Sequence, residues 1–94
     1  MLLAIDIGNT NIALGVFDDG QLKITWQLAT NIHGQADEYG ALLLNLLERQ
    51  KLSPSKIMGV ALCSVVPSLV PTFQELCRKY LNTRPLVIET GVKT

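Results

Sequence analysis

The sequence predicts an α/β protein with elements in the order strand, strand, strand, helix, strand, helix, strand: a mixed sheet of three antiparallel strands followed by parallel ones. Three observations predict it. Two short apolar runs, at residues 2–5 and 12–17, flank one polar turn, and an alternating run at 21–28 follows an Asp-Gly pair. Two stretches, at 36–50 and from 67 or 71 to 81, repeat their apolar residues at helical spacing. Each is followed by another apolar run, at 57–63 and 86–88, which a helical crossover returns parallel to an earlier strand.

Leu2-Leu3-Ala4-Ile5 is continuous and apolar, as is Ile12-Ala13-Leu14-Gly15-Val16-Phe17, so both read as strands buried on two faces. Between them, Asp6-Ile7-Gly8-Asn9-Thr10-Asn11 carries a glycine and two asparagines, residues that tolerate positive φ and let the backbone reverse. Asp18-Asp19-Gly20 is a hairpin signal. Beyond it, Leu22, Ile24, Trp26 and Leu28 alternate with Gln21, Lys23, Thr25 and Gln27, so the third strand buries one face and wets the other, as at a sheet edge.

The polar link at 29–35 holds the single histidine, His33, which reads as a solvated loop residue because no second His or Cys stands at metal spacing. Tyr39, Leu42, Leu43, Leu46 and Leu47 form the apolar stripe of the first helix, with Asp37 and Glu38 suited to its positive N-terminal end. Thr30 and the two acids leave a substrate contact open beside that structural role. Leu52-Ser53-Pro54-Ser55 stops the helix, and the continuous run from Ile57 to Cys63 is a central strand. Pro67 or Pro71 suits the first turn of the second helix, and Thr72 with Glu75 fits a capping box if regular helix begins there. Its stripe is Leu69, Phe73, Leu76, Cys77, Tyr80 and Leu81.

At 94 residues the chain is one small domain with a modest core. A hydrophobic content of 48% against 17% charged residues points to apolar surface that further chain would cover. Eight basic residues balance eight acidic ones, so the electrostatic footprint of a nucleic-acid binder is absent. Cys63 and Cys77, embedded in apolar runs, are too few for a disulfide scaffold or zinc site and read as buried, reduced thiols. No apolar run reaches the roughly 18 residues of a membrane span, and the start lacks the basic segment and cleavage site of a signal peptide. The expectation is a cytoplasmic protein without a membrane partner.

The first turn is chemically dense. Gly8 removes a Cβ from its edge, the amides of residues 9–11 are free to converge on an anion, and Asn9, Thr10 and Asn11 add side-chain donors. Asp6, at the strand end, repels phosphate unless a divalent cation lies between, and Mg²⁺ takes a carboxylate together with phosphate oxygens and water. The other reading is a plain hairpin in which Asp6 bonds backbone amides two residues on. Ser64 poses the same choice: it lies past the end of a central strand, where open α/β sheets place ligands, yet its hydroxyl equally suits its own turn.

Asp6-Ile7-Gly8-Asn9-Thr10-Asn11 at the N-terminus resembles the first phosphate motif of type III pantothenate kinases, within the actin-like ATPase and sugar-kinase superfamily. Cys63-Ser64-Val65-Val66-Pro67 and Gly91-Val92-Lys93-Thr94 resemble further segments of that family, in its order and at about its spacing. An Asp-x-Gly-x-Thr turn alone marks the superfamily, whereas Asn9 with Ser-Val-Val-Pro points to this branch.

The resemblance implies a ribonuclease H-like core of the actin-like ATPase type. It implies that Asp6, Ile7, Gly8, Asn9, Thr10, Asn11, Ile12 and Ala13 hold the phosphates of ATP, with Asp6 on Mg²⁺, and that the γ-phosphoryl passes to the primary hydroxyl of pantothenate in the first step of coenzyme A synthesis. The family also implies a monovalent cation, K⁺ or NH₄⁺, a homodimer, and a second domain closing a cleft over both substrates. Its proton-accepting aspartate lies in a Gly-x-Asp-Arg string beyond the segment matching Gly91-Val92-Lys93-Thr94, and Asp18 and Asp37 match no such motif. Residues 1–94 are therefore expected to be the N-terminal part of a kinase, inactive alone. Lys93 is a possible phosphate or carboxylate partner by its chemistry. Two alternatives stand beside the kinase: a non-catalytic transcription-accessory regulator sharing these motifs, and a sugar or acetate kinase of the same superfamily.

Overall fold

The computed structural model describes residues 1–89, in which the expected order of elements is found. Strands β1 (Leu2–Ile7), β2 (Asn11–Asp18) and β3 (Gln21–Ala29) precede helix α1 (Ala36–Arg49), strand β4 (Gly59–Ser64), helix α2 (Val70–Leu81) and strand β5 (Leu86–Glu89). They form one sheet in the order β3-β2-β1-β4-β5, antiparallel across the first three strands and parallel from β1 through β4 to β5. The segment Gly91-Val92-Lys93-Thr94, Lys93 included, lies outside the described residues.

One sheet face makes the core. Leu3, Ile5 and Ile7 of β1, Ile12, Leu14 and Val16 of β2, and Val60 and Leu62 of β4 are buried in a single cluster with Tyr39, Leu43 and Leu47 of α1 and Phe73, Leu76, Cys77 and Leu81 of α2. The opposite face carries Leu2, Ala4 and Asp6, then Ala13, Gly15, Ala61, Cys63, Leu86 and Ile88, and no described element covers it. Leu86 is 68% exposed there. The runs of β1, β2 and β4 are thus apolar on both faces but buried on one, which corrects the expectation of two-sided burial. Cys63 stands half-buried on the open face, whereas burial among apolar side chains pushes the Cys77 thiol up to about 11.

The β2–β3 hairpin closes on Asp19 and Gly20 at φ 55° and 77°, the paired positive values that match the twist of a two-residue loop. One irregularity follows. Val16 faces Ile24 but Phe17 faces Leu22, so Lys23 is a bulge that turns Leu22 onto the open face, 53% exposed, away from Ile24, Trp26 and Leu28.

Helix α1 begins where the Gln35 amide donates to Glu38 Oε1 at 2.8 Å. Its buried face is Tyr39, Gly40, Leu43 and Leu47, while Leu42 lies to the side, 48% exposed. Helix α2 grows directly out of a 3₁₀ turn, Pro67–Leu69, with Pro71 in its first turn. It therefore starts before Thr72, and no capping box forms there; Glu75 pairs with Arg78 instead, at 2.6 Å. Asn82, left-handed at φ 52°, ends it. Among the described residues no helix is long and apolar enough to cross a membrane.

The helices meet with the Tyr39 and Phe73 rings 4.8 Å apart, and with Gly40 under the Tyr80 ring, where an added Cβ would stand 2.5 Å from ring carbon. Asp37 joins the same contact from outside, accepting from Lys79 Nζ at 2.8 Å and from the Tyr80 hydroxyl at 2.5 Å.

Two predictions follow from this helix pair. Gly40→Ala improves helix propensity by about 1 kcal/mol, yet overpacking against Tyr80 costs about 1–3 kcal/mol, so urea unfolding should show net destabilisation. In a Tyr80→Ala background the same change should become stabilising. The bonds from Lys79 and Tyr80 hold the Asp37 carboxyl below its ordinary 3.8. That contribution is complete above the ordinary value and disappears as pH falls through the lower folded one, so the gap in urea midpoint between the chain and Asp37→Asn should close below about pH 4.

Candidate functional site

β1 is parallel to β4 and β5, so the carboxyl ends of all three lie at one edge of the sheet, where open α/β sheets bind ligands. Three connections converge there: the β1–β2 turn, the start of the loop after β3, and the link from β4 to α2.

The β1–β2 turn is closed by Gly8 N donating to Asn11 O at 2.9 Å. A Cβ on Gly8 would stand 3.1 Å from that same carbonyl oxygen, so any larger residue here would press the turn's own backbone apart by a few tenths of an ångström. No residue of the turn has positive φ, contrary to the reading of its glycine and asparagines; the reversal is made with negative φ, which any residue adopts. Asn9, Thr10 and Asn11 are exposed, and the amides of Asn9 and Thr10 find no acceptor among the described residues. Ile7 and Ile12 pair beneath the turn and are fully buried, anchoring it in the core, while Ala13 lies opposite Asp6 on the open face.

Asp6 alternates away from Ile5 and Ile7, which sends its side chain to the open face between Ala13 and Cys63. It is exposed and has no hydrogen-bond or ion-pair partner among the described residues. It does not cap the turn. It lies on a shallow trough of about 520 Å³ with Ala13, Gly15, Gln27, Cys63 and Ile88. A larger hollow of about 700 Å³ lies beside Glu75 and Arg78 of α2 and Arg84 just past its end; neither hollow is lined by Gly8, Asn9, Thr10 or Asn11. Among the described residues no group of three or more His, Cys, Asp or Glu could hold a metal. One exposed carboxylate on the strand that leads into unbonded amides nevertheless fits Mg²⁺ arriving with phosphate oxygens and its own water, for which one protein carboxylate is enough.

The other candidates divide. Ser64 sits level with Ile7, and its hydroxyl accepts from Val66 N at 2.9 Å and donates to Val66 O at 3.0 Å, bonds that serve its own turn; Val65 N then donates to Ile7 O at 3.0 Å. His33 is exposed in its loop, its amide bonded to Asn31 Oδ1. Asp18 lies at the far end of β2, and Asp37 is engaged by α2. Thr30 carries no motif, yet its hydroxyl donates to Gly8 O at 2.8 Å and its amide to Thr10 O at 2.9 Å.

The type III pantothenate kinase family profile matches residues 2–94. A type III pantothenate kinase of Agathobacter rectalis is 44% identical over all 94 residues, which make up 36% of that protein; the chain thus spans about a third of its relative's length. Two solved structures share the fold. A Porphyromonas gingivalis protein assigned as an N-acetylglucosamine kinase superposes at TM-score 0.68 with 19% identity, over 95% of this chain and 34% of the other. The ROK hexokinase of Thermus thermophilus superposes at 0.66 with 14% identity, over 94% of this chain and 33% of its own. At those identities the likeness is one of fold, the actin-like and sugar-kinase type of mixed sheet. Profile and relative together cover the chain nearly end to end, and it belongs to the type III pantothenate kinase family.

Proposed function

We propose that this chain is the N-terminal, phosphate-binding part of a cytoplasmic two-domain kinase that transfers the γ-phosphoryl of ATP to the primary hydroxyl of pantothenate. Family membership supports the substrates. The observation that carries the site is the unpartnered Asp6 near the end of β1, followed in the next turn by the unbonded amides of Asn9 and Thr10, at the carboxyl edge of the sheet.

In this reading the turn grips the anion. The Asn9 and Thr10 amides, the Thr10 hydroxyl and the Asn9 and Asn11 carboxamides donate to phosphate oxygens. Asp6 holds Mg²⁺, directly or through water, and the ion when bound neutralises charge on those oxygens. The buried pair Ile7 and Ile12 keeps the donors in place before ligand arrives, so little ordering entropy is lost on binding. Phosphoryl transfer also needs an acceptor for the hydroxyl proton. Asp18 and Asp37 lie elsewhere, and we assign that role to a residue outside those described, so the chain binds nucleotide without turning it over.

Calorimetric titration with Mg-ATP checks this. Binding is expected, and Asp6→Asn should weaken it about tenfold in Mg²⁺ while ATP binding in EDTA, relieved of the carboxylate's repulsion, should be no weaker than in the unaltered chain. Equal Mg-ATP affinity in the two proteins would overturn the assignment of Asp6. Absence of nucleotide binding by the unaltered chain would favour the non-catalytic regulator.

A further inference from the structure

We infer that Thr30 is a positioning residue for nucleotide, acting through the peptide plane it holds; this rests on the phosphate-binding reading of the turn. A trans peptide sets its C=O and N–H in opposite directions, so whatever fixes the carbonyl of Gly8 also aims the amide of Asn9. The described backbone contains no cis peptide. Thr30 Oγ1 donates to Gly8 O at 2.8 Å, in a partly buried position, and the Asn9 amide on the other edge of that plane has no acceptor among the described residues.

The same residue grips the turn twice. Its main-chain amide donates to Thr10 O at 2.9 Å, so the carbonyls on either side of Asn9 are both tied to position 30, one by the side chain and one by the backbone. Two electron-rich oxygens are thereby turned inward, and an arriving phosphate meets donors. The grip is firm because its far side is anchored. Asn31 donates its amide to the Tyr39 hydroxyl at 2.8 Å and accepts from that hydroxyl through its carbonyl at 2.8 Å, while the Tyr39 ring is buried in the core against Phe73. Turn, Thr30, Asn31 and α1 form one chain of bonds running from the anion site into the hydrophobic interior.

Only the side-chain half depends on residue identity. Valine keeps the shape and β-propensity of threonine and the amide bond to Thr10, and removes the hydroxyl alone. Serine keeps the hydroxyl. With the whole chain and Mg-ATP as probe, Thr30→Val should lose about tenfold in affinity beyond a modest drop in urea midpoint from the unpaired Gly8 carbonyl, and Thr30→Ser should keep the midpoint and bind within about twofold of the unaltered chain. In ¹H–¹⁵N spectra the Asn9 amide should move on adding Mg-ATP to the unaltered chain and to Thr30→Ser, and should move far less in Thr30→Val. If the threonine were merely structural, Thr30→Val would lower the midpoint and leave the affinity of the folded fraction unchanged. Should Thr30→Val not fold, Thr30→Ala is read in its place. If Thr30→Val binds as tightly as the unaltered chain, the inference about Thr30 falls alone; if the unaltered chain binds no Mg-ATP, the phosphate-binding reading falls and this inference with it.

Discussion

β1 is hydrogen-bonded along both edges, antiparallel to β2 and parallel to β4, and the rest of the molecule depends on that double pairing. A strand held on both sides cannot slip in register without turning its alternate side chains over. Leu3, Ile5 and Ile7 must therefore point to the helices, and Asp6, between the last two, must point away from them. The position of the acid is a consequence of core packing two residues wide. The turn inherits the same constraint, because the fully buried Ile7 and Ile12 close its base.

What was legible in the sequence is what local chemistry controls. Strand and helix order followed from apolar spacing, the Asp19-Gly20 hairpin from two residues able to take positive φ, and Asp6 as a candidate from an acid set against a polar turn. Departures arose wherever distant parts of the chain decided. A bulge at Lys23 turns Leu22 out of a run whose alternation is otherwise regular. The continuous apolar strands suggested cover on both faces, but hydrophobicity reports only what a surface tolerates, and the described helices pack on one side. Helix α2 starts early because Pro67–Leu69 already winds as a 3₁₀ turn, which leaves Thr72 inside the helix instead of at its cap.

Thr30 was legible only as an open substrate contact, and its bond to the turn was not, for a related reason. Its partner Gly8 lies 22 residues away, and although Thr30 is the one hydroxyl in the polar link after β3, nothing local says that it folds back on the turn. Gly40 is similar: its value lies in the Tyr80 ring above it, forty positions further on, and a glycine inside a helix reads by itself only as a weak point. The local motif suggests a ligand chemistry, while the residues bonded to its backbone are scattered through the chain and emerge only from the fold.

The open sheet face also governs how the isolated chain behaves as a solute. Leu2, Leu22, Leu86 and Ile88 meet water on it, and the outer edges of β3 and β5 have no neighbouring strand among the described residues. Acidic and basic residues balance at neutral pH, with an isoelectric point near 6.5, so long-range repulsion does little to keep two such faces apart. Moving the buffer a few units from that point, at low ionic strength, restores repulsion and is the physical route to a concentrated, monodisperse sample.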